Sequence, residues 1–492
     1  MIIWGINAMN HDASISVVNS ETCEILFAAH SERYSRLKND QWLNDGIITD
    51  AYRFGEPDLV VWYENPWGRR LRYLKSGQYR RLFADPSPRK YLRGLGLDAP
   101  IKYVNHHESH AAGGFYTSGF SDAAVLVVDA IGEISTASIW HASEKGLKLK
   151  WTLKYPHSLG LFYSAVTDLV GLKPNEEEYI LMGMAAYGKA RPGLTDYLLS
   201  TYFEEDGLRQ KFNFHRGLRH DGVLIEILAQ PRGKYNLAAS AQEIVQRGVQ
   251  NLATMARAVV GSANLVYSGG VALNCVANGA VAEGFEHTWI MPNPGDAGSS
   301  LGAIAAYLRK PLVWRGPFLG HSIDRELRVD DIVKSLLDEG LVGVANGPAE
   351  FGPRAFGNRS LLADPRRADM KDRVNLIKKR QQFRPFAPAV LAEHAHEYFE
   401  LSGGELKEAH YMQYVARVKT NGLPAITHFD NTARVQVVGK EAPALRAILE
   451  KWYAETGCPV LLNTSLNVKG EPLVNTAEDA ERWSSTYGVK VM

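Results

Sequence analysis

His106-His107-Glu108-Ser109-His110 follows a short apolar stretch, 101–104, and leads into Gly113-Gly114-Phe115-Tyr116. A helix starting near His107 puts His106 and His110 one turn apart on the same side. Two imidazoles at that spacing grip one divalent ion in other helical metal motifs. Two histidines leave such a site incomplete, so carboxylates must arrive from elsewhere in the chain. Asp129, which closes the apolar run 123–128, is one candidate. Asp296, in Asn293-Pro294-Gly295-Asp296-Ala297-Gly298, is the other. A His/His/Asp/Asp set offers only nitrogen and oxygen donors and suits iron, manganese or zinc. The competing reading is a polar helix start whose histidines cap and pack.

A second group of residues points to anions. Gly352-Pro353-Arg354 and Phe383-Arg384-Pro385-Phe386 set arginines in rigid, apolar surroundings. Guanidiniums fixed in that way face carboxylate or phosphate. Asn463-Thr464-Ser465-Leu466-Asn467 is a polar turn after the apolar run 459–462, a frequent place for ligand contacts. Small residues at 295–300 precede an apolar helix, 301–308, so backbone N–H groups there can face an anion or a metal-bound ligand.

These residues need elements to hold them. Residues 2–6 read as a strand, 7–12 as a polar turn and 13–18 as a returning strand. The plan repeats at 123–128, 129–133 and 135–140. A third piece, 264–271, ends in Ser268-Gly269-Gly270 before a helix from about Ala272. Two strand–acid–strand hairpins and a late strand–Gly–Gly–helix predict a duplicated actin/Hsp70-type fold, with the hairpin tips and glycine turn lining one cleft. The prolines of 311–317 break the pattern, and a domain boundary is expected near 310–325. A chain of 492 residues exceeds one core, which also requires at least two domains.

Composition excludes several classes. Hydrophobic content of 45% and charged content of 22% are those of a globular protein. A net charge of +1 argues neither for nor against nucleic acid. Cys23, Cys275 and Cys458 are scattered, which excludes a thiolate metal site or a disulfide scaffold and fits a reducing compartment. Met1-Ile2-Ile3-Trp4-Gly5 lacks the charged leader of a signal peptide, and no apolar run nears the ~18 residues of a membrane span. A cytoplasmic enzyme with no membrane partner is the expectation.

With these blocks in view, the chain resembles the O-carbamoyltransferases of the nodulation-protein U, cephem carbamoyltransferase and tobramycin carbamoyltransferase type. The matching stretches run in order along nearly the whole chain. They include Gly5-Ile6-Asn7-Ala8-Met9-Asn10-His11-Asp12, residues 32–40, 106–111, 268–274, 293–302, 350–360, 383–388, 430–436 and 463–472. The resemblance implies an α/β protein. Residues 1–315 would form an actin/Hsp70-like (ASKHA, Kae-type) transfer domain with the metal. Residues 316–492 would form a YrdC-like domain, whose last residues can pack on the first.

The implied activity uses carbamoyl phosphate and ATP, with Mg²⁺, to make carbamoyl adenylate. The carbamoyl group then passes to a hydroxyl near bound Fe²⁺ or another divalent ion. By resemblance the metal ligands fall on His106, His110, Asp129 and Asp296. The general base falls on His11, whose ordinary pKa lies near working pH. Its competing reading is a turn histidine bonded to Asp12. Further catalytic groups fall on Lys38, Arg354 and Arg384. Nucleotide contacts are expected at Gly269, Gly270, Asn274, Arg354, Arg359, Arg384, Arg434, Asn463 and Ser465. Residues 207–234 match nothing in the family and are expected to be acceptor-specific. Phe356 stands where leucine is expected, and the chain ends sooner after 477–484 than family members usually do.

Residues 69–93 bear on the acceptor. They hold nine cations, from Arg69, Arg70 and Arg72 to Arg93, against one acid, Asp85, with Tyr73, Tyr79, Phe83 and Tyr91 interleaved. Cations and rings together suit a nucleic-acid groove. The favoured acceptor is therefore 5-hydroxymethylcytosine in DNA, and the alternative is a small-molecule hydroxyl such as an antibiotic or a sugar. A solvated basic helix is the competing reading of this stretch. Two further classes stand beside a carbamoyltransferase: a tRNA-modifying enzyme of the threonylcarbamoyl type and a non-enzymatic nucleotide sensor. The sequence leaves the oligomeric state open.

Overall fold

The computed structural model describes residues 1–401 and 409–492. They form two compact units. The first comprises Met1–Met9, Ser16–Glu24 and Gly55–Val313; the second comprises Asn10–Ile15, Ile25–Phe54 and Trp314–Met492. The main division falls in the proline-containing stretch 311–317. The second unit also takes in two early segments, which a single cut through the chain does not anticipate.

Two sheets organise the first unit. In one, Ser14–Asn19, Ile2–Asn7, Leu59–Trp62 and Ile101–Tyr103 lie in that order, the last three parallel. In the other, Gly146–Lys154, Ser135–Ser143, Asp122–Gly132, Asn264–Ser268 and His287–Trp289 lie in that order. Its first three strands are antiparallel and the rest parallel. Each sheet thus has a central strand with a hairpin partner on one side and two parallel strands on the other. That repeated order is the duplicated actin/Hsp70-type plan. The central strands are buried on both faces, as parallel strands covered by helices must be, so they read as unbroken apolar runs.

Helices His106–Ser118 and Ser299–Leu308 pack together in this unit. Glycines set how closely they approach. A Cβ on Gly302 would lie 2.1 Å from the Ser109 carbonyl oxygen, and one on Gly5 would lie 1.8 Å from that of Ser300. Only glycine permits such contact. The helix expected from Ala272 begins later: Gly270–Leu273 is a 3-10 turn, and the α-helix runs Cys275–Ala282.

The second unit has a five-stranded sheet in the order Leu341–Ala345, Arg359–Ala363, Val460–Ser465, Ala387–Leu391, Gln436–Val438. Helices Val329–Glu339 and Pro443–Thr456 cover it with a core that includes Ile332, Leu336, Leu445 and Trp452. The Arg33 guanidinium, 2% exposed, donates to the carbonyls of Glu350 and Gly352. Arg36 donates to those of Leu473 and Pro472, and Asp50 accepts from Tyr34 and contacts His321. These polar contacts explain why 25–54 folds with the C-terminal half. No helix among the described residues is long and apolar enough to cross a membrane.

Candidate active site

His106 Nε2 and His110 Nε2 are 3.0 Å apart on successive turns of their helix. Asp129, on the central strand Asp122–Gly132, brings Oδ2 to 3.1 Å from His106 Nε2. Asp296, in the turn before Ser299–Leu308, brings Oδ1 to 3.4 Å from both imidazoles. One donor atom from each residue lies within 4.8 Å of the other three, and all four residues are buried. Nearest-neighbour separations of 3.0–3.4 Å are those of adjacent ligands about one ion at bond lengths near ~2.1 Å, so the donor set fits a divalent first-row metal.

Surrounding groups hold these donors. Gly269 has a φ of +93° and its N–H meets the Pro294 carbonyl, which turns the Gly270 N–H onto Asp129 Oδ1 at 3.1 Å. Glu133 Oε1 accepts from the N–H of Asn65 at 2.6 Å and of His106 at 3.4 Å, capping the histidine helix in place of Asn105. Burial pushes the His106 pKa down, but Asp296 and Asp129 outweigh it and hold the imidazole well above its usual range. Asp129 is held at about 2: burial and Asp296 push it up, and hydrogen bonding and charge from His106 and His110 push it further down. His107 is driven down to about 3 by burial and by His106, and its Nδ1 lies 2.8 Å from Ser138 Oγ. It is a neutral wall of the site.

Gly132 leaves room for the ligand ring: a Cβ there would lie 2.2 Å from His106 Cδ2. Gly132→Ala is expected to displace His106 and weaken metal affinity at least about tenfold, the scale of lost ligand support. Competition with a chromogenic chelator measures this, and an unchanged affinity would show that the ring accommodates the methyl.

The expected phosphate-handling residues gather at one end of the second sheet. Ala387 faces Asn463, Ser360 faces Ser465 and Ala389 faces Gln436, so the strands near Arg384, Arg359 and Arg434 begin beside the end of Val460–Ser465. Asn463 Nδ2 donates to the Ala355 carbonyl at 3.1 Å and to Gln436 Oε1 at 2.7 Å, tying the Arg354 loop to this end. Asn463 Oδ1 and Arg434 Nε are buried without a partner among the described residues, as ligand-facing atoms are.

Residues not singled out by sequence organise this end. Glu350, fully buried, accepts at Oε1 from the N–H groups of Phe356, Asn358 and Arg359. Lys378 donates to Asn467 Oδ1 at 2.9 Å, to the Asn467 carbonyl at 3.0 Å and to the Ser465 carbonyl, and burial holds its pKa well below the usual range. The sequence shows a lysine at this position but not its burial. Arg359, an expected nucleotide contact, lies deep within this end. It is fully buried and donates to the carbonyls of His321, Asn346, Gly347, Asn358 and Asn475, so it organises main chain. Arg354 and Arg384 are half-buried.

Other expected site residues lie as follows. His11 Nδ1 is 3.1 Å from Asp12 Oδ2, and Lys38 Nζ is 2.8 and 3.0 Å from the two oxygens of buried Glu32. Asn274 exchanges amide hydrogen bonds with Gln242, both 3.0 Å, and caps Cys275–Ala282. The segment 207–234 helps wall an open cavity of about 600 Å³ with Tyr197, Tyr202, Lys211, Phe212 and His220 on its lining.

The basic stretch 69–93 is not a continuous cationic face. Arg69 and Arg72 turn inward, 4% and 5% exposed, and contact Glu64, itself fully buried, at 3.5 and 3.4 Å. The apolar strand end 59–62 before Glu64 concealed this partner.

A duplicated-sheet α/β unit carrying a buried His₂Asp₂ donor set, and a second α/β unit with its own five-stranded sheet, define a two-unit α/β protein with a candidate metal site. The carbamoyltransferase N-terminal family model matches residues 92–305, and the carbamoyltransferase C-terminal model matches 333–492. The chain belongs to the carbamoyltransferase family. It is 35% identical to an uncharacterized Synechocystis protein over 98% of this chain and 93% of that one. It is 35% identical to nodulation protein NolNO of Sinorhizobium fredii over 96% and 76%, respectively. It is 27% identical to 3'-hydroxymethylcephem-O-carbamoyltransferase of Amycolatopsis lactamdurans over 98% and 96%. Among solved structures, full-length HypF in its phosphate- and nucleotide-bound form covers 63% of this chain and 46% of its own, at 16% identity and a TM-score of 0.36.

Proposed function

We propose that the protein is an ATP-dependent O-carbamoyltransferase working in two steps, residues 316–492 forming the adenylate and 1–315 transferring the carbamoyl group. The buried convergence of His106, His110, Asp129 and Asp296 is the observation that carries this reading. Carbamate is a poor electrophile, because nitrogen donation and negative charge deactivate its carbon. Water hydrolyses carbamoyl phosphate, giving carbamate and free phosphate. A carbamate oxygen then attacks the α-phosphorus of ATP, and pyrophosphate leaves. Arg354, Arg384 and Arg434 are the groups proposed to hold these phosphates, aided by Asn463 and Ser465, with Mg²⁺ accompanying ATP.

In the second step an acceptor hydroxyl attacks the carbamoyl carbon and AMP leaves. A hydroxyl is a weak nucleophile at neutral pH and needs a base. Asp12 favours the His11 tautomer with hydrogen on Nδ1, which leaves Nε2 to take the proton. Lys38, anchored by Glu32, offers a cation in the same unit as His11. A divalent ion at the His₂Asp₂ set, with Fe²⁺ the one the family resemblance implies, would supply Lewis-acid stabilisation of developing negative charge. Gly269 and Gly270 act by orienting Asp129.

The proposed acceptor is a small-molecule hydroxyl, and the cavity walled by 207–234 is its candidate site. The DNA acceptor rests on a cationic groove, and the inward turn of Arg69 and Arg72 takes two of the nine cations of 69–93 out of it. The test is to incubate the protein with ATP, carbamoyl phosphate and a panel of acceptors, following pyrophosphate release and acceptor mass. Pyrophosphate release dependent on carbamoyl phosphate, with one carbamoyl added to a small primary alcohol such as a 3'-hydroxymethylcephem, is expected. A hydroxymethylcytosine oligonucleotide carbamoylated in its place would restore the DNA reading. Absence of pyrophosphate release would leave the nucleotide-sensor reading.

A further inference from the structure

Helix Pro66–Ser76 is inverted for a protein surface. Its inward side carries Arg69, Arg72 and Tyr73, with Glu64 beneath the two guanidiniums. Its outward stripe, at spacings of four and three, is Trp67, Leu71 and Leu74, exposed by 75%, 41% and 51%. The next helix, Tyr79–Ala84, buries no residue; Tyr79 and Phe83, one turn apart, are 60% and 90% exposed. Exposed cations flank these side chains: Arg70, Lys75, Arg80, Arg89 and Lys90. The Arg70 guanidinium lies 5.4 Å over the Trp67 ring. The one acid of the stretch, Asp85, accepts a 2.6 Å hydrogen bond from Tyr73. Single exposed hydrophobics need no explanation, but five large ones on two successive helices, interspersed with exposed cations, do.

We propose that this surface, carried by 66–93, docks on an anionic lipid bilayer. Trp67, Leu71, Leu74, Tyr79 and Phe83 would enter the interfacial region, and Arg70, Lys75 and Arg80 would meet lipid phosphates. Charge complementarity selects this occupant. A second copy meeting the same patch would set like charges against each other across a two-fold axis. A nucleic acid would use the rings but leave Leu71 and Leu74 with no base to stack on. Basic helices with aromatic and leucine side chains opposite lie in membrane interfaces without spanning them. This departs from the expectation of no membrane partner and is independent of the carbamoyl-transfer reading.

The test is co-sedimentation of the full-length protein with vesicles of phosphatidylcholine alone or mixed with phosphatidylglycerol. Partitioning is expected on the mixed vesicles, about tenfold or more above neutral ones and falling with salt. Arg70→Ala with Arg80→Ala should lower it about fivefold per lost cation. Trp67→Ser with Leu71→Ser and Phe83→Ser should lower it at least about tenfold. These side chains are exposed, and a melting profile matching the wild type keeps the comparison valid. No binding to mixed vesicles, or equal binding to both kinds, overturns the proposal. So does a defect of these variants confined to binding a single-stranded oligonucleotide or to self-association.

Discussion

His110→Ala is expected to lower carbamoyl transfer at least about a thousandfold, the several kcal/mol that a catalytic metal contributes. Pyrophosphate release dependent on carbamoyl phosphate should stay within about threefold of wild type, a difference below 1 kcal/mol. The geometry requires this split. His110 Nε2 sits 3.0 Å from His106 Nε2 and 3.4 Å from Asp296 Oδ1, inside the first unit. Removing it leaves one imidazole and two carboxylates, a harder donor set with a changed geometry that holds a first-row ion less tightly. The groups proposed to make the adenylate belong to the second unit. Asp296→Asn should behave alike, because a neutral amide loses the charge that balances the cation. Metal content, pyrophosphate release and acceptor mass, measured on one preparation, check the prediction. Equal loss of both activities would sink the division of labour.

Arg354→Ala is expected to have the opposite signature. Adenylate formation should fall about a hundred- to a thousandfold, the cost of one preorganised donor to developing charge, while preformed carbamoyl adenylate is still used. The loop holding Arg354 is over-determined. Glu350 accepts from the N–H groups of Phe356, Asn358 and Arg359 beyond it, Arg33 holds the Gly352 carbonyl at 2.7 Å, and Gly352 has a φ of +151° that favours glycine. A side chain mounted on such a loop gives up little entropy on binding phosphate. Arg354→Lys should not restore the rate, since an ammonium lacks the planar fork. A normal rate of adenylate formation in the alanine variant would make Arg354 a structural residue.

Much of the molecule was legible because it is written at short range. The spacing of His106 and His110 is a property of any helix, and the structure puts their Nε2 atoms on one side. The central strand Asp122–Gly132 reads as an apolar run because burial on both faces demands it, and Gly269-Gly270 announces a turn that few other residues can make. The duplicated strand order followed from two hairpins and one late strand.

Other features depended on what comes near in space. Residues 69–72 carry the same letters whether they face solvent or core. The buried carboxylate of Glu64 makes the inward turn of Arg69 and Arg72 tolerable and leaves Trp67, Leu71 and Leu74 outside. Arg359 sat in a motif that pointed to a ligand, yet carbonyls from 321 to 475 meet it first. Segment 25–54 joined the second unit through Arg33, Arg36 and Asp50, polar residues that no periodicity marks. Hydrophobic pattern and backbone stereochemistry act between neighbours in the chain, so the sequence alone determines the elements and their spacing. The partner of a buried charge is settled by desolvation, which acts only once distant segments have closed around it, and so the tertiary structure decided which cations face solvent.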